Sequence, residues 1–154
     1  MLVLVDSGIL LRLLEPTVPQ YGVIRGAVRA LRGRGDTLVT ATQNAAEFRN
    51  VCTRPAAARG GYGLSIADAD WRLRVIERLF RVVSDSPSAY QIWRGLLVAH
   101  GVRDVQVHDA RLVALMQVHG ITHILTLNGA DFARYPGIVP IDPVSLSPPP
   151  PANP

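Results

Sequence analysis

Four acids fall at the ends of segments or on the inward edge of a helix. Asp6 closes the apolar run Leu2-Val3-Leu4-Val5, Glu47 sits on the margin of an apolar helix face, and Asp109 opens a segment rich in Leu, Val and Met. Asp131 follows the turn pair Asn128-Gly129. If these side chains share one cleft, their charges repel by about 4 kcal/mol per pair at 4 Å and an effective dielectric of ~20, so the cluster calls for a cation. An oxygen-only set that leaves room for water selects Mg2+ or Mn2+.

Each acid also has an ordinary structural reading. Asp6 can cap a helix, Glu47 can pair with Arg54, Asp109 can complement a helix dipole for ~0.3–1 kcal/mol, and Asp131 can cap a short helix. Asp109 goes beyond its ordinary reading, because Leu112, Val113 and Met116 at i+3, i+4 and i+7 put its carboxylate on a buried stripe. The same reasoning places Ala45, Phe48, Val51 and Cys52 on the inward face beside Glu47.

The remaining chemistry-bearing residues narrow the choice. The chain has one cysteine, Cys52, and so no internal disulfide or cysteine-rich zinc site. His100, His108, His119 and His123 show no ligand spacing with it, and Gly120 separates His119 from His123. All 16 Lys+Arg residues are arginine. Schiff-base chemistry, a Walker phosphate loop and a phospho-acceptor receiver site, each of which uses a lysine, are thereby disfavoured. The net charge of +4 suits a nucleic-acid backbone or an acidic protein, with a solvated arginine-rich surface as the plain alternative.

The elements that must position these residues follow from patterning. Leu2–Val5 reads as a buried strand, 8–14 and 23–31 as helices, 37–40 as a second strand, and 42–53 as a helix with Thr42 as its N-cap. Ser65 caps a helix reaching about Phe80, 81–83 is a short strand, and 88–100 and 108–119 are helices, the second ended by Gly120. Strands at 122–127 and 138–141 complete the set, with 54–63 as a loop. Alternating strands and helices predict an α/β domain, a parallel sheet of four to five strands with helices on both faces. At 154 residues and 48% hydrophobic content, one domain over 1–142 is expected, followed by a proline-rich, disordered tail over 143–154. No run is long and apolar enough to span a bilayer, and Asp6 interrupts the first apolar stretch without a basic leader, so a cytoplasmic protein is expected.

In order and spacing, these segments resemble the PIN-domain ribonucleases, in particular the VapC-like toxins of bacterial toxin–antitoxin modules. The resemblance covers residues 2–142. It is carried by Leu2-Val3-Leu4-Val5-Asp6-Ser7, by Thr42 to Pro55 around Glu47-Phe48, by His108-Asp109-Ala110-Arg111-Leu112-Val113-Ala114, and by Thr126-Leu127-Asn128-Gly129-Ala130-Asp131-Phe132. Spacings of 41, 62 and 22 residues separate Asp6, Glu47, Asp109 and Asp131.

The resemblance implies a single PIN-like domain and a Mg2+-dependent (or Mn2+-dependent) endoribonuclease that cleaves RNA with a metal-activated water. Asp6, Glu47 and Asp109 would be its metal ligands, with Asp131 as a fourth catalytic acid and Ser7 and Asn128 as supporting polar groups. Asn128 stands where the family often has Asp, so either Asn128 or Asp131 serves the fourth position. Two arginine clusters, Arg25, Arg29, Arg32 and Arg34, and Arg72, Arg74, Arg78 and Arg81, are candidates for the RNA backbone. A homodimer neutralised by a cognate antitoxin is implied as well. The alternatives are a non-catalytic PIN-like module that binds RNA or protein, with Asn128 as a mark of decay, and a DNA nuclease.

Overall fold

Every strand of the sheet is short, and most are too apolar to face water on either side. In the computed structural model, which describes residues 1–146, β1 (Leu2–Val5), β2 (Thr37–Ala41), β3 (Arg81–Val83), β4 (His123–Leu125) and β5 (Val139–Ile141) form one parallel sheet in the order β3-β2-β1-β4-β5. Parallel neighbours need crossover connections, and helices supply them. The sequence reading of an α/β domain with a parallel sheet of four to five strands is therefore met, with five.

Alternation along the strands divides the core in two. Val3, Val5, Leu38 and Leu125 point to one face, where they pack with α1 (Ser7–Leu13), α2 (Tyr21–Gly33), α3 (Thr42–Thr53) and α4 (Ile66–Leu79). Leu4, Val39 and Ile124 point to the other, against α6 (Gln106–Val118) and α7 (Gly129–Ala133), with α5 (Pro87–Ala99) packed outside α6. The two-residue period of a strand makes this split inevitable once both faces carry helices.

Local chemistry explains most boundaries. Ser65 caps α4 by accepting from the Asp68 N–H at 3.1 Å, and Pro87 opens α5, where its missing N–H costs nothing. Gly120, at φ 64°, turns the chain after α6. Thr42 is not the cap of α3 but its first residue; Ala41 holds the cap position, and its N–H donates to Asn44 Oδ1 at 3.3 Å. In the 54–63 loop, a Cβ on Gly61 would lie 2.3 Å from the Pro55 carbonyl oxygen, so only glycine fits there. α6 reaches two residues further upstream than the pattern suggested, and α7, read as a turn, is a five-residue helix.

The packed body also extends past residue 142. Pro143–Leu146 forms a 3-10 turn against α2, with Pro143 buried and Leu146 on the first core, so the disorder expected from residue 143 does not begin there. The tetraproline segment, expected to be disordered, lies outside the described residues.

Candidate functional site

Between β1 and β4 the strand order reverses: β2 and β3 lie on one side of β1, β4 and β5 on the other. Connections leave such a point in opposite directions and open a crevice beyond the carboxyl ends of the strands. Asp6 is the first residue past β1 in that crevice, and its N–H donates to the Leu125 carbonyl at the end of β4.

The Asp6 carboxylate is 8% exposed and surrounded by neutral donors. Thr126 Oγ1 donates to Oδ2 at 2.8 Å, while the Ser7 N–H at 2.7 Å and Asn44 Nδ2 at 3.3 Å donate to Oδ1. Burial raises its pKa, and Glu47 adds to the rise; the Thr126 and Ser7 bonds pull the other way without cancelling it.

Glu47 faces the same crevice because α3 starts directly at the end of β2, which brings its first two turns over the strand ends. The Ser7 hydroxyl donates to Glu47 Oε2 at 2.8 Å and lies 3.4 Å from Asp6 Oδ1, so one side chain spans two acids. Gln43 Nε2 donates to Glu47 Oε1 at 3.0 Å and to the His108 carbonyl at 2.9 Å, tying α3 to the first turn of α6. Glu47 does not pair with Arg54, whose guanidinium donates to the Arg59 carbonyl.

Asp109 stands in that first turn of α6, half-buried. Its pKa is pushed up to about 6, first by burial, then by the charges of Asp131, Asp6 and Glu47, with His108 opposing weakly. The four acids predicted from sequence thus lie in one electrostatic neighbourhood. Among the described residues none of them is paired with an arginine; the ion pairs formed by arginine go to Glu15, Asp70 and Asp85 instead.

The acids are gathered but not closed into a cage. Among the described residues, no group of three or more His, Cys, Asp or Glu side chains is close enough to hold a metal ion by itself. The donor set is nonetheless that of a hard divalent ion: carboxylate oxygens, an uncompensated excess of negative charge, and no thiolate or imidazole among the four. Mg2+ usually keeps several waters and takes only one or two carboxylates, so an open arrangement suits it.

Asp131 lies in the first turn of α7, half-buried, and is the first-ranked charge acting on Asp109. Asn128, at the cap position of α7, is exposed, and its backbone N–H donates to Thr126 Oγ1 at 3.1 Å. Of the two, Asp131 shares the field of the other acids.

The arginine candidates lie elsewhere. Arg34 precedes β2, Arg78 precedes β3 and Arg81 begins it, which places them at the amino edge of a parallel sheet whose carboxyl edge bears Asp6. Arg32 donates to the Leu79 carbonyl and lies over the Phe80 ring at 5.3 Å, Arg72 pairs with Glu15 at 3.2 Å, and Arg74 pairs with Asp70 at 2.6 Å. Arg25 lies over the Tyr21 ring at 5.9 Å and, with Arg29, lines a groove on α2. Among the described residues no arginine of either cluster pairs with one of the four acids.

Sequence reasoning overlooked the groups that orient the acids: Gln43, Asn44 and Thr126. A signal existed for Asn44, which is four residues before Phe48 and so an amide on an apolar stripe.

The chain belongs to the PIN-domain family, whose pattern matches residues 3–138. Its fold is shared with chains of known toxin–antitoxin structures. VapBC2 from Rickettsia felis, bound to a DNA fragment from its promoter, superposes with a TM-score of 0.68 at 12% identity, covering 92% of this chain and 98% of that one. VapC20 of Mycobacterium tuberculosis, a sarcin-ricin loop cleaving toxin, gives 0.62 at 17% identity, covering 85% and 93%. A toxin–antitoxin complex from Klebsiella pneumoniae gives 0.62 at 20% identity, covering 92% and 97%. No curated protein matches the sequence. Among the described residues no helix is long and apolar enough to cross a membrane.

Proposed function

We propose that this protein is a divalent-metal-dependent endoribonuclease acting as the toxin of a toxin–antitoxin pair. The observation that carries the proposal is the shared field of Asp6, Glu47, Asp109 and Asp131, which lie near the carboxyl edge of the sheet without an arginine partner among the described residues. Membership of the PIN family and the shared fold of a sarcin-ricin loop cleaving toxin support it.

Asp6, Glu47 and Asp109 would hold the ion, Mg2+ or Mn2+, directly or through waters, with Asp131 adding to the field. When bound, such an ion lowers the pKa of a water and offsets the charge that builds on a phosphate under in-line attack. The chain's own residues supply the geometry. Thr126, Asn44 and the Ser7 N–H fix the Asp6 carboxylate, and Ser7 and Gln43 fix the two oxygens of Glu47. The Gln43 bond to the His108 carbonyl sets the distance between α3 and the turn that bears Asp109. A carboxylate whose pKa is raised toward neutrality suits acceptance of a proton from the attacking water.

The toxin–antitoxin complexes among the neighbours in fold support an antitoxin partner; a homodimer and a cytoplasmic location belong to the same proposed reading. Matched RNA and DNA strands offered with Mg2+ or with EDTA test the activity. The expected result is cleavage of RNA only, lost in EDTA and reduced at least 100-fold in Asp6→Asn. Metal-independent binding without cutting would instead make the protein a non-catalytic module, and equal cutting of DNA would make it a general nuclease.

A further inference from the structure

A second feature lies at the carboxyl edge of the sheet. A cavity of about 460 Å3 opens beyond β3, lined by Asp85, Ser86, Ala89, Tyr90, Trp93 and Arg111. Its size falls within the range of small-ligand sites, ~300–1,000 Å3. The Tyr90 and Trp93 rings lie 5.8 Å apart and tilted by 41°, and Tyr90 is 56% exposed, so an aromatic face is open to solvent. Trp93 is held in place by its indole N–H, which donates to the Val107 carbonyl at 2.9 Å.

The cavity is connected to the acids through side chains. Asp85 Oδ2 accepts from Thr42 Oγ1 at 3.1 Å and from Arg111 at 3.2 Å. Thr42 opens the helix that carries Gln43, Asn44 and Glu47, and Arg111 lies two residues beyond Asp109 on α6. At 100° per residue that step places Arg111 on nearly the opposite side of α6 from Asp109, so the acids and the cavity flank the same helical turn. The Arg111 side chain is 50% exposed, and its contact with Asp85 leaves donors to spare on the guanidinium.

We propose that this cavity is a nucleobase subsite, which takes the unstacked base of a single-stranded RNA next to the phosphate addressed by the acids. The proposal rests on the nuclease reading above. Its occupant is argued from the lining. Aromatic faces accept any base by stacking, and the donors that Asp85 leaves unused on the Arg111 guanidinium meet the phosphate or the base edge. A carboxylate already paired with arginine and bonded to a threonine hydroxyl does not repel the strand as a bare one would. The site also accounts for Arg111, whose position at the acid edge contrasts with the arginines of α2 and α4.

The test uses the full chain carrying Trp71→Phe, which leaves Trp93 as its only tryptophan, in the Asp109→Asn background with Mg2+ present. Trp93 fluorescence is titrated with a short single-stranded oligoadenylate and with an abasic oligomer of equal length. Saturable quenching by oligoadenylate is expected, with binding roughly tenfold weaker for the abasic strand and for Tyr90→Ala, the size of one base–aromatic stack. In the otherwise native protein, Tyr90→Ala should raise KM for RNA and leave kcat unchanged. Equal affinity for the two strands, or unchanged binding in Tyr90→Ala, overturns the subsite even if RNA is cleaved. Base-dependent quenching in a protein that cuts nothing retains the subsite and removes the nuclease. If Tyr90→Ala alters sedimentation while nucleotide affinity holds, the face belongs to a second copy of the chain and the subsite is overturned.

Discussion

At neutral pH Asp109 must hold its charge half-buried, facing Asp131, Asp6 and Glu47, and its pKa of about 6 records that resistance. The ordinary value is 3.8, so between about pH 4 and pH 6 the folded chain binds more protons than the unfolded one. Stability of the metal-free protein therefore falls as pH rises through that window and stays low above it. Asp6, also raised, adds in the same direction. Asp109→Asn should flatten the decline and stabilise the metal-free protein by about 1–2 kcal/mol at pH 7, after allowance for partial exposure. Urea melts of both proteins across pH 4–8 check this; parallel curves would contradict it. Thr126→Val removes a buried donor to Asp6 at 2.8 Å. It should cost about 1–3 kcal/mol, with a larger loss at pH 8 than at pH 4, because the bond is strongest to the ionised acid.

At the scale of elements, the site depends on helices that begin directly at strand ends. α1 follows β1 after Asp6 alone, and α3 follows β2 with no residue between. This is why so much of the arrangement was legible: the apolar run ending in Asp6-Ser7 and the strand-forming segment Thr37-Leu38-Val39-Thr40 mark the strand ends and the residues that leave them. α7 was not legible, because five residues are too few to show a period and Asn128-Gly129 is an ordinary turn pair. The placement of the arginine clusters was not legible for a related reason. Adjacency in sequence says nothing about which edge of the sheet a helix end reaches, and the ends of α2 and α4 bring Arg34 and Arg78 to the strand starts. Gln43, Asn44 and Thr126 went unweighted because neutral polar residues show their role only when their bonds are seen. One element-scale prediction concerns the loop after α3, which folds back so that Tyr62 and Leu64 donate to the Val51 and Cys52 carbonyls. Gly61→Ala would force this loop off Arg54 and Pro55, lowering stability by about 1–3 kcal/mol in thermal melts. An unchanged melting temperature would show that the loop yields freely.

For the whole molecule, two apolar cores clamp a sheet whose carboxyl edge carries an excess of negative charge on an otherwise basic chain of net charge +4. The cores stabilise the fold while the site opposes it locally, and a bound cation would relieve the opposition. Ligand present at 100 times its Kd stabilises a protein by about 2.7 kcal/mol, so Mg2+ or Mn2+ should raise the melting temperature of the wild type by several degrees. The same additions to Asp109→Asn should have little effect. Joint action of the four acids on a metal is tested most directly by titrating Mn2+ and following the free-ion signal by electron paramagnetic resonance. Wild-type protein should bind Mn2+ with an affinity at least tenfold above that of either Asp6→Asn or Asp109→Asn, both shown to be folded. Equal binding by all three proteins would mean that these acids do not act together on a metal, and the proposed chemistry would fail with them.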